Sequence, residues 1–171
     1  MKKLFSLLAA ALLCITTAAA QTKEMKVDEV LASGDEYVGT QIAVSGLCSH
    51  LCKHGGRKMF LRGAKGLLRV ESTKQTGAFS TEAVNEPVRV TGILRMTRID
   101  ETYLRNWEER LENGGAAHGG CETEAAARGD QGSTDRQKID NFRKRIAERN
   151  AAEGKNYLSV FYVEADGYTI L

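Results

Sequence analysis

Cys48, His50, Cys52 and His54 stand at alternate positions in a stretch that ends in Gly55-Gly56, and such a run of sulfur and imidazole groups suits metal ligation or thiol chemistry. Beyond Cys14, the only other residues of these two types are His118 and Cys121. All the histidines and all the cysteines after residue 20 therefore fall in two short patches. In an extended strand, residues i and i+2 share a face about 6–7 Å apart and can share an ion, whereas Cys48 and His54, roughly 20 Å apart, cannot. Cys52 with His54, beside the glycine turn, is the favoured pair. His118 and Cys121 would complete a tetrahedral zinc or copper site if their segment folds back.

The same cysteines admit other chemistry. Three thiols outside the leader is an odd number, so a disulfide from Cys48 or Cys52 to Cys121 with one spare thiol, or a redox role, also fits. A bond between Cys48 and Cys52 in one extended strand is geometrically poor, because bridged Cα atoms lie within about 7 Å. The spacing matches neither a standard zinc finger nor a c-type haem attachment. No catalytic constellation accompanies it: a nucleophile elbow, a phosphate loop and a His-Glu zinc-protease motif are all missing from the sequence.

Charge supplies a second set of candidates. Residues 41–98 hold ten Lys or Arg against Glu71, Glu82 and Glu86. Arg57, Lys58, Arg62, Lys65 and Arg69 lie on two expected strands, where they could contact an anionic ligand, an oligonucleotide or oligosaccharide, or an envelope protein. Phe60 is the only aromatic among them and is expected to point inward, so stacking platforms are scarce. A solvated basic face paired with the acidic helix 100–112 is the plainer reading, and nucleic acid is the less favoured partner.

These residues need a scaffold, and the chain of 171 residues encodes one domain after a leader. Lys2 and Lys3, an apolar run from Leu4 to Thr17 and Ala18-Ala19-Ala20 have the form of a signal peptide cleaved near Ala20, so export to the periplasm or cell envelope is expected. The run is too short to span a bilayer and no second one follows, which leaves no transmembrane segment after cleavage. Leu13 is too bulky to precede a lipidated cysteine, which disfavours a lipid anchor at Cys14. Without Lys2 and Lys3 the 24 basic residues become 22, equal to the 22 acidic ones, so residues 21–171 form a neutral domain.

Periodicity outlines the elements. Residues 24–33 place Val27, Val30 and Leu31 on one helical face before Gly34, and Ile42 and Val44 alternate in a strand interrupted at Gly46. Leu47 and Leu51 then share one face, with the Cys/His stripe on the other. Strands are expected over 58–62, 67–71 and 88–99, with a helical turn near 79–84 and Phe60, Leu68, Val70, Val88, Val90 and Ile93 in the core. Asp100 caps a helix to about Glu112 whose stripe of Tyr103, Leu104, Trp107 and Leu111 should pack on the sheet. Residues 113–133 read as a mobile loop, 134–152 as an amphipathic helix with a Thr134/Gln137 capping box, and 157–164 with 168–171 as the closing β segments.

This order fits a mainly β, α+β fold: a five-stranded Greek-key barrel with a two-helix insertion before the last strand. Gly39-Thr-Gln-Ile-Ala-Val-Ser-Gly46 resembles the opening strand of bacterial OB-fold proteins, and Pro87-Val-Arg-Val-Thr-Gly-Ile-Leu94 resembles their fourth strand. More narrowly, residues 44–61 resemble a group of small exported OB-fold proteins of unknown function that carry a Cys-x-His-x-Cys-x-His-Gly-Gly run. The resemblance covers roughly residues 25–99 and implies the barrel and the envelope location. It implies no activity.

Overall fold

A computed structural model describes residues 22–53, 55–114, 121–130, 132 and 134–171. The expected leader at 1–20, and with it Cys14, lies outside them, as do His54 and His118. The elements run β1 (Lys23–Lys26), α1 (Val27–Ser33), a 3-10 turn (Gly34–Tyr37), β2 (Gln41–Leu51), β3 (Lys58–Arg62), β4 (Leu67–Ser72), a 3-10 turn (Thr81–Ala83), β5 (Pro87–Ile99), α2 (Glu101–Glu112), α3 (Glu122–Arg128), α4 (Asp135–Glu153) and β6 (Leu158–Ile170).

The sheet closes on itself in the order β2-β3-β4-β6-β5-β2, with β4 and β6 parallel and the other barrel pairs antiparallel. This is the OB-fold barrel. β1 adds a parallel strand on β2. Residues 24–33 are thus not one helix: Met25 points into the core from a strand, and α1 begins only at Val27, where the Glu29 carboxylate accepts from the Lys26 N–H at 2.6 Å.

Two separate cores result. The barrel interior is built from residues such as Val44, Met59, Leu61, Leu68, Val70, Val90, Leu94 and Val163. The second gathers Ile99, Leu104, Trp107, Ile139, Phe142 and Leu158, so the stripe of α2 packs on α4 and on the far ends of the long strands β5 and β6. Asp100 caps α2 by accepting from the Tyr103 N–H, and Thr134 and Gln137 form the capping box of α4.

Alternation explains one correction in β5. Val88, Val90, Gly92 and Leu94 all face inward, so Leu94 is in the core and Ile93 points away from it. Gly92 sits where β6 bulges: Thr91 pairs with Gly167 and Gly92 with Ala165, leaving Asp166 as the extra residue. A side chain at Gly92 would overlap the carbonyl oxygen of Glu164. Backbone cannot swing aside as a side-chain tip can. Gly92→Ala is therefore expected to destabilise the domain by at least about 1–3 kcal/mol, the usual cost of overpacking, and a urea melt with an unchanged midpoint would contradict the close approach.

Residues 113–133 depart most from expectation. Instead of one loop, the segment contains α3, whose Gly129 C-cap is left-handed at φ 74°. Among the described residues the insertion thus holds α3 in addition to the two expected helices. α3 packs on β3 and β4, directly over the strands that carry the basic candidates.

Candidate functional site

A bulge in β2 decides which Cys/His side chains meet. Cys48 pairs with Leu61 and His50 with Phe60, so Ser49 is an extra residue and the alternation changes phase there. Leu47 and Cys48, before the bulge, keep the phase set by Ile42 and Val44, so Leu47 is exposed while Cys48 is wholly buried in the barrel core. After it, Leu51 packs against the barrel core and His50 lies on the outside, its ring 5.8 Å from that of Phe60. The single stripe expected from unbroken alternation does not form. Burial raises the Cys48 thiol above its ordinary pKa, opposed only weakly by the His50 carbonyl, so Cys48 stays a protonated, inert core residue.

Cys52 is also buried, and its N–H donates to the Lys58 carbonyl at 2.9 Å across the turn. The three described cysteines carry free thiols, so the alternative of a disulfide from Cys48 or Cys52 to Cys121 is not formed in this structure.

Cys121 nevertheless folds back onto the barrel. It is the N-cap of α3, and its Sγ lies 3.8 Å from Nε2 of His50, a residue 71 positions away. The two share a surface cleft of about 270 Å³ with Lys53, Glu122 and Thr123. For one tetrahedral zinc ion bound at about 2.3 Å to sulfur and 2.0 Å to nitrogen, the two ligand atoms would be about 3.5 Å apart. The observed separation is near that value. Among the described residues, no group of three or more His, Cys, Asp or Glu is gathered closely enough to hold an ion; His50 and Cys121 stand as a pair.

α3 is held in place by charge. Glu124, 4% exposed, accepts from Lys58 Nζ at 2.7 and 2.9 Å and from Arg69 Nη1 at 3.0 Å. Burial acts to raise its carboxyl pKa, but the Lys58 hydrogen bonds and the charges of Lys58, Arg69 and Arg128 outweigh it and hold the group below the ordinary range. Further along, Arg128 pairs with Asp130 at 2.5 Å. Arg69 also lies 3.2 Å from Glu71 and over the Tyr162 ring at 4.7 Å.

The basic face is therefore not one solvated surface paired with α2. Lys58 and Arg69 are neutralised by α3, whereas Arg57, Arg62 and Lys65 are exposed. The acidic groups of α2 engage α4 instead, where Arg143 bridges Glu101 and Glu108, each at 2.8 Å. Phe60 is buried, as expected, but on the outer face: Met59 and Leu61 flank it in the barrel core, and its own partners are His50 and Arg69. Among the described residues, no helix is long and apolar enough to cross a membrane.

Comparison with known proteins leaves the fold as the firm assignment. No family model and no curated protein matches the chain. Solved structures with a similar part include the aspartyl-tRNA synthetase from Entamoeba histolytica, 10% identical over 78% of this chain and 36% of that one, with a TM-score of 0.36. The asparaginyl-tRNA synthetase from Pyrococcus horikoshii, complexed with asparaginyl-adenylate, is 20% identical over 47% of this chain and 19% of that one, with a TM-score of 0.34. The chain thus matches about a fifth to a third of these enzymes' length. Such loose superpositions carry no functional argument, and the OB assignment rests on the strand order.

Proposed function

We propose that the protein is a small exported OB-fold binding protein that captures a thiophilic transition-metal ion, zinc or Cu(I), between His50 and Cys121. The observation that carries this reading is the 3.8 Å approach of Cys121 Sγ to His50 Nε2. An imidazole nitrogen and a thiolate are ligands for either ion, and Cu(I) is especially suited to sulfur with few neighbours. Among the described residues only these two side chains are placed to be ligands, and the remaining coordination positions would be filled by water or by other donor atoms. Such a site binds reversibly rather than serving as a structural staple.

The competing reading, an anionic oligomer on β3 and β4, is disfavoured because Glu124 already occupies Lys58 and Arg69. Titration of the reduced protein with Zn(II) and Cu(I) tests the proposal. His50→Ala and Cys121→Ser should each weaken binding by more than about 10- to 100-fold, the loss typical even of an outer-sphere partner. Cys48→Ala should leave it unchanged, since that thiol is in the core. Equal affinity in C121S and in the unsubstituted protein would refute the site.

A further inference from the structure

A second site lies on the seam between the barrel and the insertion, away from His50 and Cys121. Two adjoining clefts open there among α1, β4, α3, α4 and β6. One, of about 240 Å³, is lined by Leu31, Lys65, Arg128, Arg145 and Phe161 among others. The other, of about 280 Å³, shares Leu31, Arg145, Ser159 and Phe161 and adds Asp35, Arg149 and Glu153. The shared walls make them two lobes of one depression, whose size together falls within the roughly 300–1,000 Å³ of small-molecule sites.

The lobes differ in charge. In the second, Arg149 and Lys155 both reach Asp35 at 2.9 Å and both also contact Glu153, so cations and anions balance. In the first, Arg128 is neutralised by Asp130, which leaves Lys65 and Arg145. Arg145 donates from Nη1 to the Gly129 carbonyl at 2.9 Å and stands over the Phe142 ring at 5.4 Å. Among the described residues no carboxylate lies within ion-pair distance of either cation; the nearby Asp28 carboxylate accepts from the backbone N–H groups of Ala64 and Lys65 and attracts the Lys65 charge from a longer distance.

The floor is apolar and firmly set. Phe161 is 8% exposed, and its ring packs against Gly34, where an added Cβ would come within 3.1 Å of three ring carbons. Leu31 forms the adjacent wall. A half-buried guanidinium and an exposed lysine lining one cleft with an apolar floor suit an amphipathic anion, because the charges can orient an oxyanion while the floor desolvates its carbon skeleton.

We propose that this cleft binds a small organic anion, with its phosphate or carboxylate between Lys65 and Arg145 and its apolar body against Leu31 and Phe161. Titration of the full chain by two-dimensional amide NMR with phenyl phosphate, hexanoate and inorganic phosphate tests it. Phenyl phosphate or hexanoate should produce saturable shifts at Gly66, Gly129 and Ser159, and inorganic phosphate, which has no apolar body, should bind more weakly than phenyl phosphate. Preference between the two organic probes identifies the headgroup. Lys65→Gln and Arg145→Gln should each weaken binding about tenfold or more, as loss of a charge-assisted hydrogen bond implies. K65Q leaves the Arg145–Gly129 contact intact, so a loss there is not explained by unfolding. Absence of saturable shifts, or affinity unchanged in K65Q and R145Q, overturns the proposal. Because no lining residue is shared with the His50–Cys121 cleft, this outcome is independent of metal binding.

Discussion

Trp107→Ala is expected to lower stability by about 3–5 kcal/mol, a large part of the roughly 5–15 kcal/mol that holds a domain of this size together. Trp107 is 1% exposed and lies at the centre of the second core, its ring 6.3 Å from that of Phe142. Truncation removes the largest wholly buried side chain of the described residues and leaves a void between α2 and α4, two elements that Leu104, Ile139, Phe142 and the surface ion pairs of Arg143 would then have to hold together. Surface pairs contribute little against such a cavity. The loss should also be local at first, because the barrel core and the insertion core share no residue. Hydrogen exchange on W107A should show α2 and α4 losing protection while β2, β3 and β4 keep theirs. Equal loss in both regions would show that the cores unfold as one unit.

That division between cores also marks what the sequence made legible. The insertion helices announced themselves because α2 and α4 each combine an apolar stripe with a side-chain cap, Asp100 in one and Thr134 with Gln137 in the other. Local patterns of this kind survive folding. The barrel strands were readable for the same reason, since Val88 and Val90, or Leu68 and Val70, alternate cleanly. Single-residue shifts were not. Cys48 keeps the inward phase of Ile42 and Val44 and Leu47 the outward one, and only the extra residue Ser49 then turns His50 out and Leu51 in; a bulge of this kind leaves no mark in composition.

α3 was hidden for a different reason. Its sequence, Glu-Thr-Glu-Ala-Ala-Ala-Arg, has no apolar stripe, because the helix is held by Glu124 reaching Lys58 and Arg69 rather than by a greasy face. Hydrophobic periodicity cannot find an element anchored by ions. The approach of His50 to Cys121 was foreshadowed only by the clustering of Cys and His in two patches. Which members meet depends on the Ser49 bulge and on α3 together, and neither is local to the pair.

Glu124→Gln should cost about 3 kcal/mol, the lower end of what breaking a buried ion pair costs, because it leaves two cations facing a neutral amide. The lower end applies because Lys58 keeps 32% of its side chain exposed and Arg69 retains Glu71 and the Tyr162 ring. Replacing the whole cluster, as in Glu124→Leu with Lys58→Met and Arg69→Leu, should recover much of the loss, since apolar groups of similar size do not carry the desolvation penalty. The pH dependence has a fixed sign. A carboxyl whose pKa is depressed in the folded state stabilises fully above its unfolded value, 4.5, and loses that contribution as pH falls through the folded value. The stability gap between the unsubstituted protein and E124Q should therefore be constant near neutrality and close on acidification below about pH 4.5; a gap that widens in acid would contradict the ion-pair account. Glu124 also lies one helical turn beyond Cys121, so weakening its anchorage loosens the thiol's approach to His50. On the proposed reading, E124Q should reduce metal affinity although Glu124 is not a ligand, while the cluster replacement that re-anchors α3 without charge should restore it. Unchanged metal affinity in an E124Q protein whose α3 amides have lost protection would separate the helix from the site.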